Sequence, residues 1–416
     1  MSISSLYVGN FKGVAQARWV PLRPLTVFVG PNSSGKSTCL HALACLSQTV
    51  KLPNNRRPLS LDDEYASVHL GRFIEVAHSR SYDDAITLGI EVPGASYTTT
   101  AIKPEKFAFV RGDLQATYNF KCTQDTQAMY LDSSTMKIDN ETISVSRSGE
   151  RYQAVDVRTG RSATFEQFEG FFLRLYHGGK GPADFEAFVN MQMAVQALQD
   201  HVQNALQNTL YLGPFRQSPQ RRYPTRGTSP LEVGAQGEAA VTMLANESVE
   251  SRKRPRIQQV GEWLGVLGLG NEVGLERLGA SDLFGVNVTL RDGSAFPIAD
   301  LGYGMSQVLP VLVQCSFAEP GSTLLFEQPE IHLHTASAKP LANVFAETAN
   351  RGVGVVIETH SPQLVWAVVN AIRAGKIQRS DVAVYRVARD GGSSCLTELP
   401  IEEDLDIYGN WETGIA

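Results

Sequence analysis

Short continuous runs of apolar residues occur near both ends of the chain, as expected for strands that are buried on both faces of a sheet. They are Leu25–Val29, Thr323–Phe326, Val353–Ile357 and Val382–Tyr385. Between the later runs, apolar residues recur at helical spacing over 340–349 and 363–374. Strands that alternate with helices predict a mainly parallel sheet with flanking helices, so the predicted fold class is α/β.

The middle of the chain has other periods. Over 86–157, apolar and polar residues alternate between Gly, Asp-Asn and Ser-Gly punctuation, which predicts an antiparallel β region. Over 165–210, apolar residues return to helical spacing, and we expect helices there. Four segments result: 1–80, the first part of the core; 81–164, an antiparallel β-rich region; 165–299, a helical insertion with basic loops; and 300–416, the second part of the core.

A phosphate-binding loop directly follows the first apolar run. The sequence Gly30-Pro-Asn-Ser-Ser-Gly-Lys-Ser-Thr38 fits G-x-x-x-x-G-K-[ST] and precedes a helical pattern that extends to about Val50. The two glycines allow a sharp turn that directs backbone N–H groups at phosphates, the lysine adds a positive charge, and the Ser37 hydroxyl can hold Mg²⁺. We expect the nucleotide to contact Asn32, Ser33, Ser34, Gly35, Lys36, Ser37 and Thr38.

Composition narrows the class of protein. The net charge of −6 at pH 7 gives no overall attraction to nucleic acid. The five cysteines are odd in number and contain no C-x-x-C pair, which argues against a disulfide framework or a structural zinc site. The chain has no apolar run long enough to span a bilayer and no signal-peptide pattern, so we expect a cytoplasmic protein with no membrane partner.

Three further motifs suit a nucleotide site. Glu327 ends an apolar run, where a carboxylate can bind Mg²⁺ or its waters, so we expect Ser37 and Glu327 to hold the metal. His360 follows the next run, where a ring N–H can contact the terminal phosphate. The segment Gly302–Gln307 precedes an apolar helical pattern, and glycines and a serine at a helix start can bind an anion.

The order of these motifs resembles the series found in ABC-type ATPases. In chain order, Gly30–Thr38 resembles Walker A, Gly302–Gln307 the signature, Glu327–Glu330 Walker B, and Glu358–His360 the switch histidine. The start Asn10-Phe-Lys-Gly13 and the phrase Glu330-Ile-His-Leu-His334 are similar to the soluble branch that contains RecF, SMC and OLD proteins. Three phrases resemble stand-alone bacterial ATPases often encoded in anti-phage defence loci: Tyr211–Arg216, His69–Phe73 and Tyr408–Trp411.

This resemblance implies an ABC-type ATPase head with ATP and Mg²⁺ as cofactors. It implies a homodimer or higher oligomer, because each nucleotide in that family lies between the Walker A loop of one subunit and the signature of another. Gly304, Ser306 and Gln307 are then expected to act in trans on a nucleotide held by the Lys36 of a second copy. We also expect Lys12 to contact the nucleotide.

The chain departs from the family at one catalytic position. The family ends the Walker B strand with Asp-Glu, and that Glu is the general base for water, whereas this chain has Glu327-Gln328. An amide does not accept a proton at neutral pH, so we expect Gln328 to orient water and hydrolysis to be slow. Glu330 is the alternative base, and His360 completes the expected catalytic residues.

Two functions remain open at this point. The first is an ATP-dependent switch that scaffolds or gates a separate effector protein, such as a nuclease, in anti-phage defence. For this reading we expect no nuclease domain after His360, and we interpret the acidic run 402–406 as solvated surface. The second is a RecF-like, DNA-binding repair or chromosome-maintenance ATPase, which the basic clusters at 216–226 and 252–256 favour.

Overall fold

The computed structural model describes residues 3–52, 57–99, 108–167, 170–175, 185–224, 230–277 and 283–401. The described residues form two compact units. The first contains the described residues within Met1–Leu22, His41–Thr209 and Arg389–Ser394, and the second contains those within Arg23–Leu40, Leu210–Ala388 and Cys395–Ala416. These units differ from the predicted segments, because 210–299 belong to the same unit as the phosphate-binding loop rather than to a separate insertion.

The helices and strands of the described residues are as follows. The helices are α1 (Ser37–Lys51), α2 (Phe73–Val76), α3 (Phe185–Gln207), α4 (Ala240–Glu250), α5 (Pro255–Leu267), α6 (Tyr303–Phe317), α7 (Thr335–Asn350) and α8 (Pro362–Arg373). The strands are β1 (Ser5–Gly9), β2 (Arg18–Pro21), β3 (Leu25–Val29), β4 (Ile86–Thr99), β5 (Ala108–Cys122), β6 (Met129–Ile138), β7 (Glu141–Ser148), β8 (Arg151–Asp156), β9 (Ser162–Gln167), β10 (Leu173–Leu175), β11 (Thr209–Leu212), β12 (Tyr223–Pro224), β13 (Glu272–Arg277), β14 (Leu283–Thr289), β15 (Ala295–Pro297), β16 (Thr323–Glu327), β17 (Gly354–Thr359), β18 (Val382–Asp390) and β19 (Ser393–Glu398).

The first unit contains a nine-stranded sheet in the order β10-β9-β8-β7-β6-β5-β4-β1-β2. Neighbouring strands are antiparallel throughout, and the antiparallel region predicted within 81–164 is present. The helical prediction for 165–175 is wrong, because β9 and β10 lie there. Phe171 instead packs against Tyr118 and Phe120 of β5, with ring centroids 4.4 and 6.1 Å apart.

The second unit contains a six-stranded sheet in the order β11-β16-β17-β3-β18-β19. The four central strands are parallel, as predicted. Every residue of β3, β16 and β17 is buried, which explains their continuous apolar sequences. Because parallel strands end at the same edge of a sheet, the segments after Val29, Glu327 and Thr359 share one edge.

Helices and a smaller sheet complete the second unit. Residues of α4, α5, α6, α7 and α8 form one apolar core with the central strands, and Phe326 and Phe345 are fully buried within it. A small antiparallel sheet has the order β12-β14-β13, with β15 paired to β14, and was not predicted. No helix in the described part of the chain is both long enough and apolar enough to cross a bilayer.

Candidate functional site

The loop between β3 and α1 has the backbone that phosphate binding requires. Ser33 and Gly35 adopt left-handed conformations, with φ of 61° and 95°. At Gly30, a Cβ atom would lie 2.1 Å from the carbonyl oxygen of Val387, so this position accepts only glycine. The chain can therefore turn back on itself and begin α1 at Ser37.

The side chain of Lys36 folds back into the phosphate-binding loop. Its Nζ donates a hydrogen bond to the carbonyl oxygen of Pro31 at 2.7 Å, and the residue is 3% exposed. Burial lowers the pKa of Lys36, and the negative charge of Glu358 opposes that shift. The hydrogen-bond acceptor of the Lys36 ammonium here is a neutral carbonyl oxygen. A phosphate group would be a stronger, charged acceptor.

Two glutamates meet beside this loop because their strands are neighbours. Glu327 of β16 and Glu358 of β17 are direct register partners. Glu327 Oε1 accepts a hydrogen bond from the hydroxyl of Tyr211 at 2.8 Å, and Glu358 accepts one from the hydroxyl of Ser37. Burial and the charge of Glu327 raise the pKa of Glu358 to about 7. Glu358 belongs to the motif that resembles the switch histidine, Glu358–His360, but no role was predicted for it.

These groups suit a magnesium nucleotide. Glu358 Oε2 is buried and has no hydrogen-bond partner among the described residues. Hydroxyl and carboxylate oxygens are the ligands that Mg²⁺ prefers, and it commonly combines one or two carboxylates with substrate phosphates. Within the part of the chain that the structure describes, no cluster of three or more His, Cys, Asp or Glu side chains is arranged to hold a metal. The protein groups therefore fit a cation whose remaining ligands are phosphates and water.

Gln328 faces His360 across the ends of β16 and β17. The Gln328 Nε2 and His360 Nε2 atoms are 2.6 Å apart. With the amide in this orientation, Gln328 donates and the histidine nitrogen accepts, so the ring proton lies on Nδ1. Burial and the charge of Lys36 lower the pKa of His360, which favours the neutral ring that this hydrogen bond needs.

The backbone at Gln328 is strained and held in place. Gln328 has φ of 46°, in the left-handed region, where a side chain costs about 1–3 kcal/mol. Arg216 Nη2 donates to the carbonyl oxygens of Glu327 and Gln328 at 3.0 and 3.2 Å, and the Gln328 N–H donates to the Glu358 carbonyl at 2.8 Å. These bonds fix the turn that directs the amide at His360.

Arg216 lies beside the candidate site, in a position that the sequence did not predict. We expected it in an exposed basic cluster, but it is 6% exposed, and burial lowers its pKa to about 10, still well above neutral pH. Arg221 of the same cluster pairs with Asp300, Arg222 is exposed, and Arg226 lies outside the described residues. The cluster at 216–226 is therefore not one basic surface.

Glu330 binds a strand residue beside the site. Its Oε1 accepts a hydrogen bond from the hydroxyl of Thr359, and that hydroxyl accepts one from the N–H of Ser361 at 2.8 Å. Burial raises the pKa of Glu330, while the bond from Thr359 opposes the shift. Its role as the alternative general base stays a prediction.

The signature segment begins α6, but only part of it is accessible. Gly302 and Tyr303 are exposed, whereas Ser306 and Gln307 are 5% and 2% exposed. The Ser306 hydroxyl donates to the carbonyl oxygen of Tyr303 at 2.8 Å. A Cβ atom at Gly304 would lie 2.8 Å from the carbonyl of His332. The exposed part of this segment is therefore Gly302 and Tyr303.

Lys12 belongs to the first unit. Its Nζ lies 2.6 Å from Nδ1 of His41 in that unit, and its contact with nucleotide stays a prediction. Two other predicted features, the phrase Tyr408–Trp411 and the acidic run 402–406, lie outside the described residues.

Two family models match the chain. One, described as "AAA ATPase domain", matches residues 1–159, and the other, described as "AAA domain, putative AbiEii toxin, Type IV TA system", matches residues 216–365. No curated protein matches the chain. The matches confirm the resemblance to P-loop ATPases that the motifs predicted, and the chain is similar to an ATPase over both regions.

Solved structures of SMC head domains align with nearly the whole chain. One is an SMC head bound to the C-winged helix domain of ScpA, with 13% identity, a TM-score of 0.46 and coverage of 97% of this chain and 99% of that chain. The SMC head domain from Thermotoga maritima has 11% identity, a TM-score of 0.39 and coverage of 96% and 100%. An SMC head with an extended coiled coil, bound to the C-terminal domain of ScpA derived from Pyrococcus furiosus, has 13% identity, a TM-score of 0.45 and coverage of 98% and 98%.

Proposed function

We propose that this chain is a cytoplasmic ATPase switch in which two copies close around ATP and Mg²⁺, and the closed dimer scaffolds or gates a separate effector protein. One observation carries the proposal. The carboxyl edge of a single parallel sheet brings together Lys36, Glu327 and the Gln328–His360 pair. These are a phosphate-binding cation, a metal-binding carboxylate and a pair suited to hold water at the terminal phosphate.

Slow turnover follows from the chemistry of this pair. Gln328 contributes an amide and His360 a neutral ring whose accepting nitrogen is already bonded to that amide. Neither group is then free to take a proton from water, so the ATP-bound state persists. A long-lived bound state suits a switch, because an effector has time to bind the closed dimer or be released from it.

Gly302→Asp separates dimer formation from nucleotide binding. A Cβ atom at Gly302 would meet nothing within 4 Å, and φ of −58° is open to any residue, so the monomer tolerates the change. In a closed dimer, the new carboxylate would repel the phosphates of the nucleotide on the other subunit. We expect sedimentation velocity to show an ATP-dependent dimer for the wild type and none for Gly302→Asp, with unchanged affinity for an ATP analogue.

Gly302→Ser is the matched control, because it adds a small polar side chain at the same position but no charge. It is expected to dimerise in ATP. A dimer of undiminished stability in Gly302→Asp would contradict closure through the start of α6.

The defence role has separate support. One of the matching family models carries the description of a putative AbiEii toxin of a type IV toxin–antitoxin system. The sequence Tyr211–Arg216 also resembles ATPases of anti-phage loci. Within it, Tyr211 and Arg216 form hydrogen bonds to Glu327. In this proposal, the destructive activity, such as that of a nuclease, belongs to a separate effector protein.

A DNA-binding repair ATPase is the second candidate, and one surface favours it. Arg252, Lys253 and Arg254 are all exposed at the start of α5, whereas Arg256 pairs with Glu319 and packs over the ring of Phe317. Three adjacent exposed cations can contact phosphates of a duplex.

A salt-dependent gel shift tests this candidate. If the protein binds duplex DNA through this surface, replacing Arg252, Lys253 and Arg254 by glutamate abolishes the shift and flattens its salt dependence, while Arg222→Glu, a single exposed reversal elsewhere, retains most of it. No shift by the wild type in ATP at low salt eliminates the DNA-binding candidate.

A further inference from the structure

Glu358 is a buried acidic residue beside the phosphate-binding loop, and the predicted motifs assign it no role. It is 3% exposed, it accepts a hydrogen bond from Ser37, and its Oε2 has no partner among the described residues. A buried carboxylate oxygen without a partner is costly, because the lost hydration is not replaced. The position therefore calls for a ligand that supplies positive charge or a hydrogen-bond donor.

The residues around Glu358 favour a cation as this ligand. Glu327 is its register partner on the adjacent strand, so two carboxylates lie side by side in a buried place. The positive charge of Lys36 acts on Glu358, but the Lys36 ammonium is already hydrogen-bonded to the carbonyl oxygen of Pro31. Like charges so close repel strongly in a poorly solvated site, and a divalent cation between them removes that repulsion.

We propose that Glu358 is a second carboxylate ligand of the divalent cation, which it shares with Glu327 and the Ser37 hydroxyl. This inference rests on the proposed function, since it assumes that a nucleotide and its cation enter at the phosphate-binding loop. Two protein carboxylates, one hydroxyl and nucleotide phosphates form a set of oxygen ligands that suits Mg²⁺ or Mn²⁺.

The assignment also bears on catalysis. A carboxylate that binds the cation is not available as the general base, although Glu358 is acidic and next to the loop. Gln328 then remains the group that orients water, and the second carboxylate does not compensate for the missing base. Glu358 adds a negative charge at the cation, so it raises metal affinity rather than the rate of proton transfer.

Manganese binding tests the proposal without measuring turnover. The probe is Mn²⁺ alone and Mn²⁺ with a non-hydrolysable ATP analogue, and free Mn²⁺ is measured by electron paramagnetic resonance. Glu358→Gln keeps the size of the side chain and an acceptor for Ser37. We expect it to raise the Kd for Mn²⁺ by about tenfold or more in the presence of the analogue.

Two further variants separate ligation from charge and from misfolding. Glu330→Gln removes another buried carboxylate charge from the same neighbourhood, but its side chain binds Thr359 rather than Ser37, and we expect a clearly smaller loss of affinity. Glu358→Asp keeps the charge but withdraws it by one methylene, and we expect it to weaken Mn²⁺ binding as well. If circular dichroism shows that Glu358→Gln is unfolded, the Mn²⁺ affinity of Glu358→Asp is used as the test instead.

The results that overturn the inference are distinct from those that overturn the proposed function. Wild-type affinity for Mn²⁺ in Glu358→Gln, an equal loss in Glu330→Gln, or wild-type affinity in Glu358→Asp would each remove Glu358 from the cation site. Absence of Mn²⁺ binding by the wild type does the same. Binding of the analogue is measured separately in EDTA, and its absence in the wild type contradicts the proposed function itself.

Discussion

Lys36→Ala abolishes nucleotide binding at micromolar concentrations and, with it, any ATP-dependent dimer. A hydrogen bond to a charged group contributes about 1.5–3 kcal/mol, and a lysine ammonium donates several, so a loss in affinity of about a hundredfold or more is expected. The ammonium is already in the loop, at 2.7 Å from the carbonyl of Pro31, so little rearrangement is needed for phosphate contact. Isothermal titration with an ATP analogue measures the loss.

Lys376→Ala is the matched control, because Lys376 is an exposed lysine of the same unit and lies after α8. It should bind and dimerise as the wild type does. If Lys36→Ala retains wild-type affinity, the loop at 30–38 is not the nucleotide site and the functional proposal fails with it.

Gln328→Glu accelerates the chemical step. General base catalysis typically contributes about 10²–10⁴-fold, so a carboxylate at this position should raise the single-turnover rate of phosphate release by at least about tenfold. The new carboxylate would occupy the place of the amide, 2.6 Å from His360 Nε2, and the left-handed turn that positions it is held by Arg216 through backbone carbonyls, which the substitution leaves in place.

Gln363→Glu introduces the same substitution in an exposed residue of the first turn of α8, close in sequence to His360 but bonded to Ser361 instead. Its single-turnover rate should equal that of the wild type. Equal rates for Gln328→Glu and the wild type would show that the missing base does not limit hydrolysis.

The sequence was sufficient to predict the parallel sheet and the sharp loop between β3 and α1. Both depend on local patterns. Continuous apolar runs indicate strands that are buried on both faces. Gly30 is required because a Cβ atom would clash with Val387, and Gly35 because its backbone is left-handed. The positions of Glu327 and His360 at the ends of β16 and β17 could be predicted in the same way, because each lies at the end of such a run.

The roles of Glu358 and Arg216 could not be predicted in the same way. Glu358 becomes a neighbour of Glu327 only because β17 lies between β16 and β3, and strand order is a property of the whole sheet. Arg216 has the sequence context of an exposed basic loop, yet it is buried because two carbonyls of the Gln328 turn need a donor. The helical spacing of aromatic residues at 165–175 was likewise ambiguous, since Phe171 packs against Tyr118 and Phe120 from the segment between β9 and β10 without forming a helix.

Complementation in trans tests whether each nucleotide is held by the loop of one copy and the start of α6 of another, as we claim. Lys36→Ala loses the loop and keeps α6, while Gly302→Asp keeps the loop and loses the α6 surface. A mixed dimer then contains one intact site. We predict that an equimolar mixture hydrolyses ATP in a single-turnover assay although neither variant does so alone; a mixture whose rate is only the mean of the two separate rates would contradict the claim.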